Sequence, residues 1–190
     1  MAIKIFIDQG HNPYGPNTGA VGNGLVEQDI NYEVGIFLKN LLENDYRFEV
    51  MVSRPTPDTV LGTSNSTSLQ ARVNMANNWG ADYFISIHTN SNPNPNINGS
   101  EVYVYMENTP AYAMAEDVLN GIVNYVGTKD NGVRINRTLY VLRRTTMPAL
   151  LVELGYLSNS SDAEKLLNDK YDFAYGIYMG ILNYFGYQPL

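Results

Sequence analysis

The chain has 190 residues, 44% of them apolar and 16% charged, and carries a formal charge of −7 from 12 basic and 19 acidic residues. This is a globular composition of a size suited to one domain with a full core, residues 1–190. The acidic balance excludes a general nucleic-acid binder, which needs a basic footprint, and offers no electrostatic attraction to an anionic polymer or membrane surface. There is no cysteine, which removes disulfides, thiolate nucleophiles and Cys-based metal sites, so any zinc must be held by His and carboxylate.

Residues 3–8 read as a buried strand. Residues 10–24 form a Gly-, Asn- and Pro-rich loop. A helix follows from Glu27 to Asn31 onward, with Asp29 or Asn31 as its cap and Ile30, Val34, Phe37, Leu38, Leu41 and Leu42 as one apolar stripe. Residues 49–53 read as a short strand, 54–68 as a long Pro- and Thr-rich loop, and 69–79 as a helix closed by Gly80. Residues 82–88 and 101–105 read as strands. Thr109-Pro110 opens a helix reaching about Tyr125, 127–137 reads as a loop, and 139–142 as a brief strand. Residues 149–153 form another strand. Ser161 and Glu164 have capping-box spacing before a helix ending near Asn168, and residues 171–184 form a final amphipathic helix. The alternation predicts an α/β fold, a three-layer helix–sheet–helix sandwich with a mostly parallel, twisted central sheet.

No apolar stretch approaches the ~20 residues of a membrane span. The N-terminal apolar residues alternate like a strand, and no signal peptide is expected. A phosphate-binding Gly-Lys-Ser/Thr loop, a dinucleotide-type glycine fingerprint and a Gly-x-Ser-x-Gly elbow are all missing.

Chemistry concentrates at the ends of three apolar runs. His11 follows residues 3–7, His88 ends residues 83–88, and Glu153 ends residues 149–153. In a parallel sheet such ends line one crevice. The two histidines, the only ones in the chain, are candidate metal ligands, with Asp8 and Asn90 as candidates to orient their rings. Glu27 is the candidate third ligand, although, taken alone, a carboxylate serving the helix dipole accounts better for its position. Glu153 lies among apolar neighbours, where a charge is costly unless paired or functional. It suits general acid–base work; the structural alternative is a salt bridge to Arg72 or Arg143.

Five motifs in order carry a resemblance that spans the chain: Asp8-Gln9-Gly10-His11; Gly19-Ala20-Val21-Gly22 followed by Glu27; Ser68-Leu69 with Arg72, Ala76 and Asn77; Ser86-Ile87-His88-Thr89-Asn90; and Glu153-Leu154-Gly155-Tyr156-Leu157-Ser158-Asn159. In this the sequence resembles the zinc-dependent N-acetylmuramoyl-L-alanine amidases of type 3. The resemblance implies one Zn2+ held by His11, Glu27 and His88, a catalytic Glu153, and peptidoglycan as substrate. Arg143 is a further candidate, for an oxyanion or a peptide carboxylate. The sequence departs from the family at Gln9, usually proline, and Asn12, usually glycine, and its 54–68 loop is longer than usual. The resemblance further implies action at the bacterial cell wall, as an autolysin, a sporulation enzyme or a phage lysin, with targeting supplied by a separate wall-binding domain or delivery partner. The alternatives are another zinc amidase or peptidase acting on stem peptides, and a non-catalytic wall-binding module.

Overall fold

The computed structural model describes residues 2–190. Eight strands and six helices follow one another: β1 (Ile3–Gln9), β2 (Val21–Gly22), β3 (Leu25–Val26), α1 (Glu27–Glu43), β4 (Phe48–Val52), α2 (Asn65–Trp79), β5 (Tyr83–Asn90), β6 (Ser100–Val104), α3 (Pro110–Val126), β7 (Asp130–Ile135), α4 (Tyr140–Arg144), β8 (Ala149–Tyr156), α5 (Ser160–Asn168) and α6 (Lys170–Phe185). Six strands form one sheet in the order β4-β1-β5-β8-β6-β7, and β2 and β3 form a small hairpin. Strands β4, β1, β5 and β8 are mutually parallel. Strand β6 runs antiparallel to β8, and β7 runs parallel to β6.

Both faces of the sheet are covered, which is why its central strands read as continuous apolar runs rather than alternating ones. On one face Ile5, Ile7, Ile85, Ile87, Val102, Leu150 and Val152 pack with Val34 and Leu38 of α1, Met114 and Val118 of α3, and Phe173 and Ile177 of α6. Helices α3 and α6 approach so closely that a Cβ on Gly121 would stand 2.1 Å from the Gly176 carbonyl oxygen. On the other face Phe6, Phe84, Ala149 and Leu151 pack with Val73 and Ala76 of α2 and Val141 and Leu142 of α4. Side chains alternate across a strand. Asp8, Ser86, His88, Glu153 and Glu101 therefore share the α2/α4 face with Phe6, Phe84, Leu151 and Tyr103.

The expected sandwich and its mostly parallel sheet are present, and five local expectations change. Residues 130–135, read as loop, form β7. Asp130-Asn131-Gly132 is turn-like on its own, and only pairing with β6 makes the segment a strand. Residues 139–142, read as a strand, lie at the helix α4. A four-residue apolar run does not separate strand from helix; here Asn77 of α2 fixes the outcome, donating to the Arg144 carbonyl at 3.2 Å and accepting from Thr146 N at 3.0 Å. Helix α2 starts at Asn65, not Leu69, because Ser64 and Thr67 form a capping box. The cap of α5 is Asn159, which accepts from Ser161 N and Asp162 N, in place of Ser161. At α1 neither Asp29 nor Asn31 is a cap: the helix begins at Glu27, with Val26 before it and no side-chain cap.

Candidate metal centre and catalytic carboxylate

Glu27 is the hub of the site. The hairpin β2–β3 turns the chain into α1, and Glu27 N donates to the Ala20 carbonyl at 2.9 Å. Its side chain turns back to accept from Ala20 N (2.8 Å, Oε2) and Thr89 N (3.2 Å, Oε1). The same Oε1 lies 3.2 Å from His11 Nε2 and 3.0 Å from His88 Nδ1. The carboxylate stands in the first turn of α1, but it accepts from Ala20 and Thr89 rather than from that helix, and it gathers both imidazoles. Burial works to raise its pKa, but the two histidines outweigh this and hold it well below the usual carboxylate range.

His11 sits two residues beyond β1 in a left-handed conformation, φ 68°, an uncommon one for a residue with a side chain. Backbone anchors hold it there. Arg72 donates to the carbonyls of Gln9 and His11 at 2.6 and 2.7 Å, and His11 Nδ1 lies 3.2 Å from the Asn17 carbonyl. His88 lies within β5, which continues to Asn90. The two rings meet edge to face, 4.9 Å between centroids and 78° between planes. His11, Glu27 and His88 each offer one ligand atom within 4.8 Å of the others, so the three could hold a metal ion. Both imidazoles remain partly open to solvent.

Glu153 is the register partner of His88 on the neighbouring strand. Its Oε2 is buried with no hydrogen-bond partner among the described residues. Burial, followed by the nearby carboxylates of Glu27 and Glu101, pushes its pKa well above the usual range. The salt bridge considered as an alternative is not formed by Arg72, which pairs with Asp8 at 2.6 Å, both side chains being 1% exposed. Arg143 lies exposed on α4, its guanidinium 6.0 Å from the centre of its neighbour Tyr140's ring. Tyr140 in turn lines a cavity of about 120 Å³ with His11, His88, Asn17, Leu69 and Arg72.

The ring-orienting expectation is corrected. Asp8 accepts from Arg72 and from Ser86 Oγ at 2.8 Å, and Asn90 donates to Glu101 at 2.9 Å; among the described residues neither hydrogen-bonds to an imidazole. The departures at Gln9 and Asn12 have a common reason. Gln9 N donates to Ser53 Oγ at 3.0 Å, a bond proline cannot make, and its side-chain amide binds Arg54 N and O. Asn12 is fully buried and pairs both ways with Leu61, donating to its carbonyl at 3.0 Å and accepting from its N–H at 3.1 Å. Both residues tie the long 53–64 loop to the His11 segment. Sequence reasoning missed Glu101, which stands beside Glu153 on β6, and Arg134, which pairs with Glu101 from β7. The sign available was an acidic residue at the same strand parity as Tyr103 in Glu101-Val102-Tyr103-Val104.

Comparison with known proteins gives the family of the chain. The family profile described as N-acetylmuramoyl-L-alanine amidase matches residues 5–183. The amidase CwlM of Bacillus licheniformis is 40% identical over 86% of this chain and 60% of its own length. The sporulation-specific N-acetylmuramoyl-L-alanine amidase of Bacillus subtilis strain 168 is 37% identical with the same coverage. The chain thus spans about 60% of the length of these curated relatives. Among solved structures, an N-acetylmuramoyl-L-alanine amidase from Clostridium difficile 630 superposes with a TM-score of 0.86 at 34% identity, covering 97% of each chain. The catalytic domain of CwlV from Bacillus (Paenibacillus) polymyxa var. colistinus gives 0.86 at 32% identity, covering 98% of this chain and 99% of its own. The chain belongs to the N-acetylmuramoyl-L-alanine amidase family.

Proposed function

We propose that residues 1–190 form one zinc-dependent amidase domain that hydrolyses the amide joining N-acetylmuramic acid to L-alanine in peptidoglycan. The observation that carries this reading is the convergence of His11 Nε2 and His88 Nδ1 on one oxygen of Glu27, with the unpartnered carboxyl of Glu153 on the adjoining strand.

Zinc fits the donors. Two nitrogens and one carboxylate oxygen form the ligand set of a catalytic zinc site, and one such atom from each of His11, Glu27 and His88 lies within 4.8 Å of the others. Zinc bound there supplies Lewis acidity, polarising the scissile carbonyl and making water a nucleophile at neutral pH.

The chain's own residues do the rest. Glu27 and the two imidazoles define where the carbonyl and the attacking water meet. Glu153, its proton affinity raised by burial, takes a proton from water as the oxygen attacks the lactyl carbonyl carbon. It returns that proton to the alanine nitrogen as the C–N bond breaks. The products are a free lactyl carboxylate on the glycan and a free alanine amine on the stem peptide.

The work is proposed to take place at the bacterial cell wall. With a charge of −7 the domain gains no attraction to anionic wall polymers, which leaves targeting to another domain or a delivery partner. The test is digestion of purified peptidoglycan by the zinc-loaded chain. New N-terminal alanine without new reducing sugar is the expected result. New amino termini other than alanine would favour a stem-peptide peptidase, and binding without any new terminus would favour a wall-binding module.

A further inference from the structure

The mechanism leaves unused a buried carboxylate directly beside Glu153. Glu101 on β6 is the register partner of Glu153 on β8, and alternation places both on the same face of the sheet. Glu101 is 1% exposed. Its Oε1 accepts from Asn90 Nδ2 at 2.9 Å, Tyr103 OH at 3.0 Å and Tyr156 OH at 3.0 Å. Its Oε2 accepts no hydrogen bond but lies 2.8 Å from Arg134 Nε. A buried carboxylate is costly unless it is paired, and Arg134 supplies the counter-charge to Glu101.

Arg134 is the outward half of the arrangement. It stands on β7 in register with Tyr103. Its side chain is 50% exposed, and Nε also points to the Asn131 carbonyl at 3.4 Å. Among the described residues neither terminal nitrogen has a hydrogen-bond partner. Val102 and Val104, on the opposite side of β6, pack with Met114, Ala115 and Val118 of α3. The guanidinium thus has Nε beside Glu101 Oε2 at 2.8 Å, on a side chain that is half exposed and whose terminal nitrogens are unpaired among the described residues. A planar guanidinium restrained in this way matches a carboxylate through two parallel hydrogen bonds.

We propose that Arg134 is a specificity-determining residue, whose terminal nitrogens bind a free carboxylate of the stem peptide on the alanine side of the scissile amide. This rests on the amidase reading. The chemistry of the two sides selects the peptide. On the glycan side the muramic carboxyl is consumed in the amide and the acetamido groups are neutral. Free carboxylates belong to the stem peptide.

The test compares two synthetic substrates: an N-acetylmuramoyl-L-alanyl dipeptide whose second residue bears a free α-carboxylate, and its carboxamide counterpart. For the zinc-loaded wild type, kcat/KM should favour the acid by ~10–100-fold, the range expected of a charge-assisted hydrogen-bonded contact, with the difference in KM. Arg134→Ala should bring the acid-to-amide ratio close to one. Arg134→Lys keeps a positive charge beside Glu101 but lacks the paired donors, and should give an intermediate ratio. Equal kcat/KM for acid and carboxamide in the wild type overturns the proposal without recourse to any variant. So does a ratio that survives Arg134→Ala. Failure of the wild type to release alanine amine from either substrate, or from peptidoglycan, overturns the amidase reading and this proposal with it.

Discussion

Gly10 lies directly against the His88 ring: a Cβ built on it would stand 2.4 Å from both Cε1 and Nε2. Gly19 bears the same relation to Glu27, where a Cβ would stand 2.7 Å from Oε2. Neither glycine has a positive φ, so alanine is acceptable to the backbone and its effect isolates the clash. Gly10→Ala should displace the imidazole and weaken zinc binding by ~10–100-fold, the range found when support of a metal ligand is lost. Competition with a chromogenic chelator measures it. Unchanged affinity would mean that the ring relaxes without cost. His11→Ala and His88→Ala should bind no stoichiometric zinc.

Glu153→Gln separates catalysis from metal holding. The variant should retain one zinc by elemental analysis and release no alanine amine from peptidoglycan. Loss of metal together with activity would assign Glu153 a different role.

The same substitution carries a stability signature in the metal-free protein. Burial raises the pKa of Glu153 in the folded state above its unfolded value. Its contribution is therefore fully present below the unfolded carboxylate pKa and is lost as pH rises through the folded value. Glutamine never ionises. Glu153→Gln should match the wild type in thermal melts at acid pH and exceed it by a margin that grows as pH rises from the unfolded carboxylate pKa to the raised folded value, then levels off. A difference in melting temperature that does not vary with pH would contradict the burial argument.

Asp8 and Arg72 show the opposite sign. Burial works to raise the Asp8 carboxyl, but Arg72 and Ser86 hold it below the ordinary value. Stability from this pair is present above the unfolded carboxylate pKa and falls as pH drops through the folded one. Asp8→Asn leaves Arg72 buried without its counter-charge and should cost ~3–5 kcal/mol at neutral pH, as breaking a buried pair does. Denaturant melts across pH should show that penalty shrinking in acid. Because Arg72 also holds the His11 carbonyl, Arg72→Met should weaken zinc binding as well.

Asn12→Gly, which restores the usual family residue, should loosen the 53–64 loop. It removes both bonds to Leu61 and those to Pro16 and Arg72. An expected loss of ~1–3 kcal/mol follows from leaving buried groups without partners. Limited proteolysis should then cut the loop faster. Resistance equal to that of the wild type would show the loop to be held by other contacts.

The candidate metal ligands and Glu153 were legible because each motif combines a chemically able side chain with its local support. Gly10 precedes His11, and Gly19 precedes Glu27, since the imidazole of His88 and the carboxylate of Glu27 fill the space a side chain would need. The layered sheet was legible for a similar reason: strands buried on both faces spell apolar runs. What was hidden depends on contacts distant in sequence. Strand β7 exists only through pairing with β6, and α4 is fixed by Asn77 of α2. Asp8 and Asn90, each adjacent to a histidine motif, bond instead to Arg72 and Glu101, residues 64 and 11 positions away. Glu101 and Arg134 carry no local pattern, and their meaning arises only once β8, β6 and β7 lie side by side.

The reversal of direction after β8 shapes access to the site. Beyond Glu153 the sheet presents the start of an incoming strand, so the next groups on the same face are Glu101 of β6 and, past it, Arg134 of β7. Under the proposed activity, whatever part of the substrate extends past the scissile amide on this side meets a half-exposed guanidinium instead of another strand terminus.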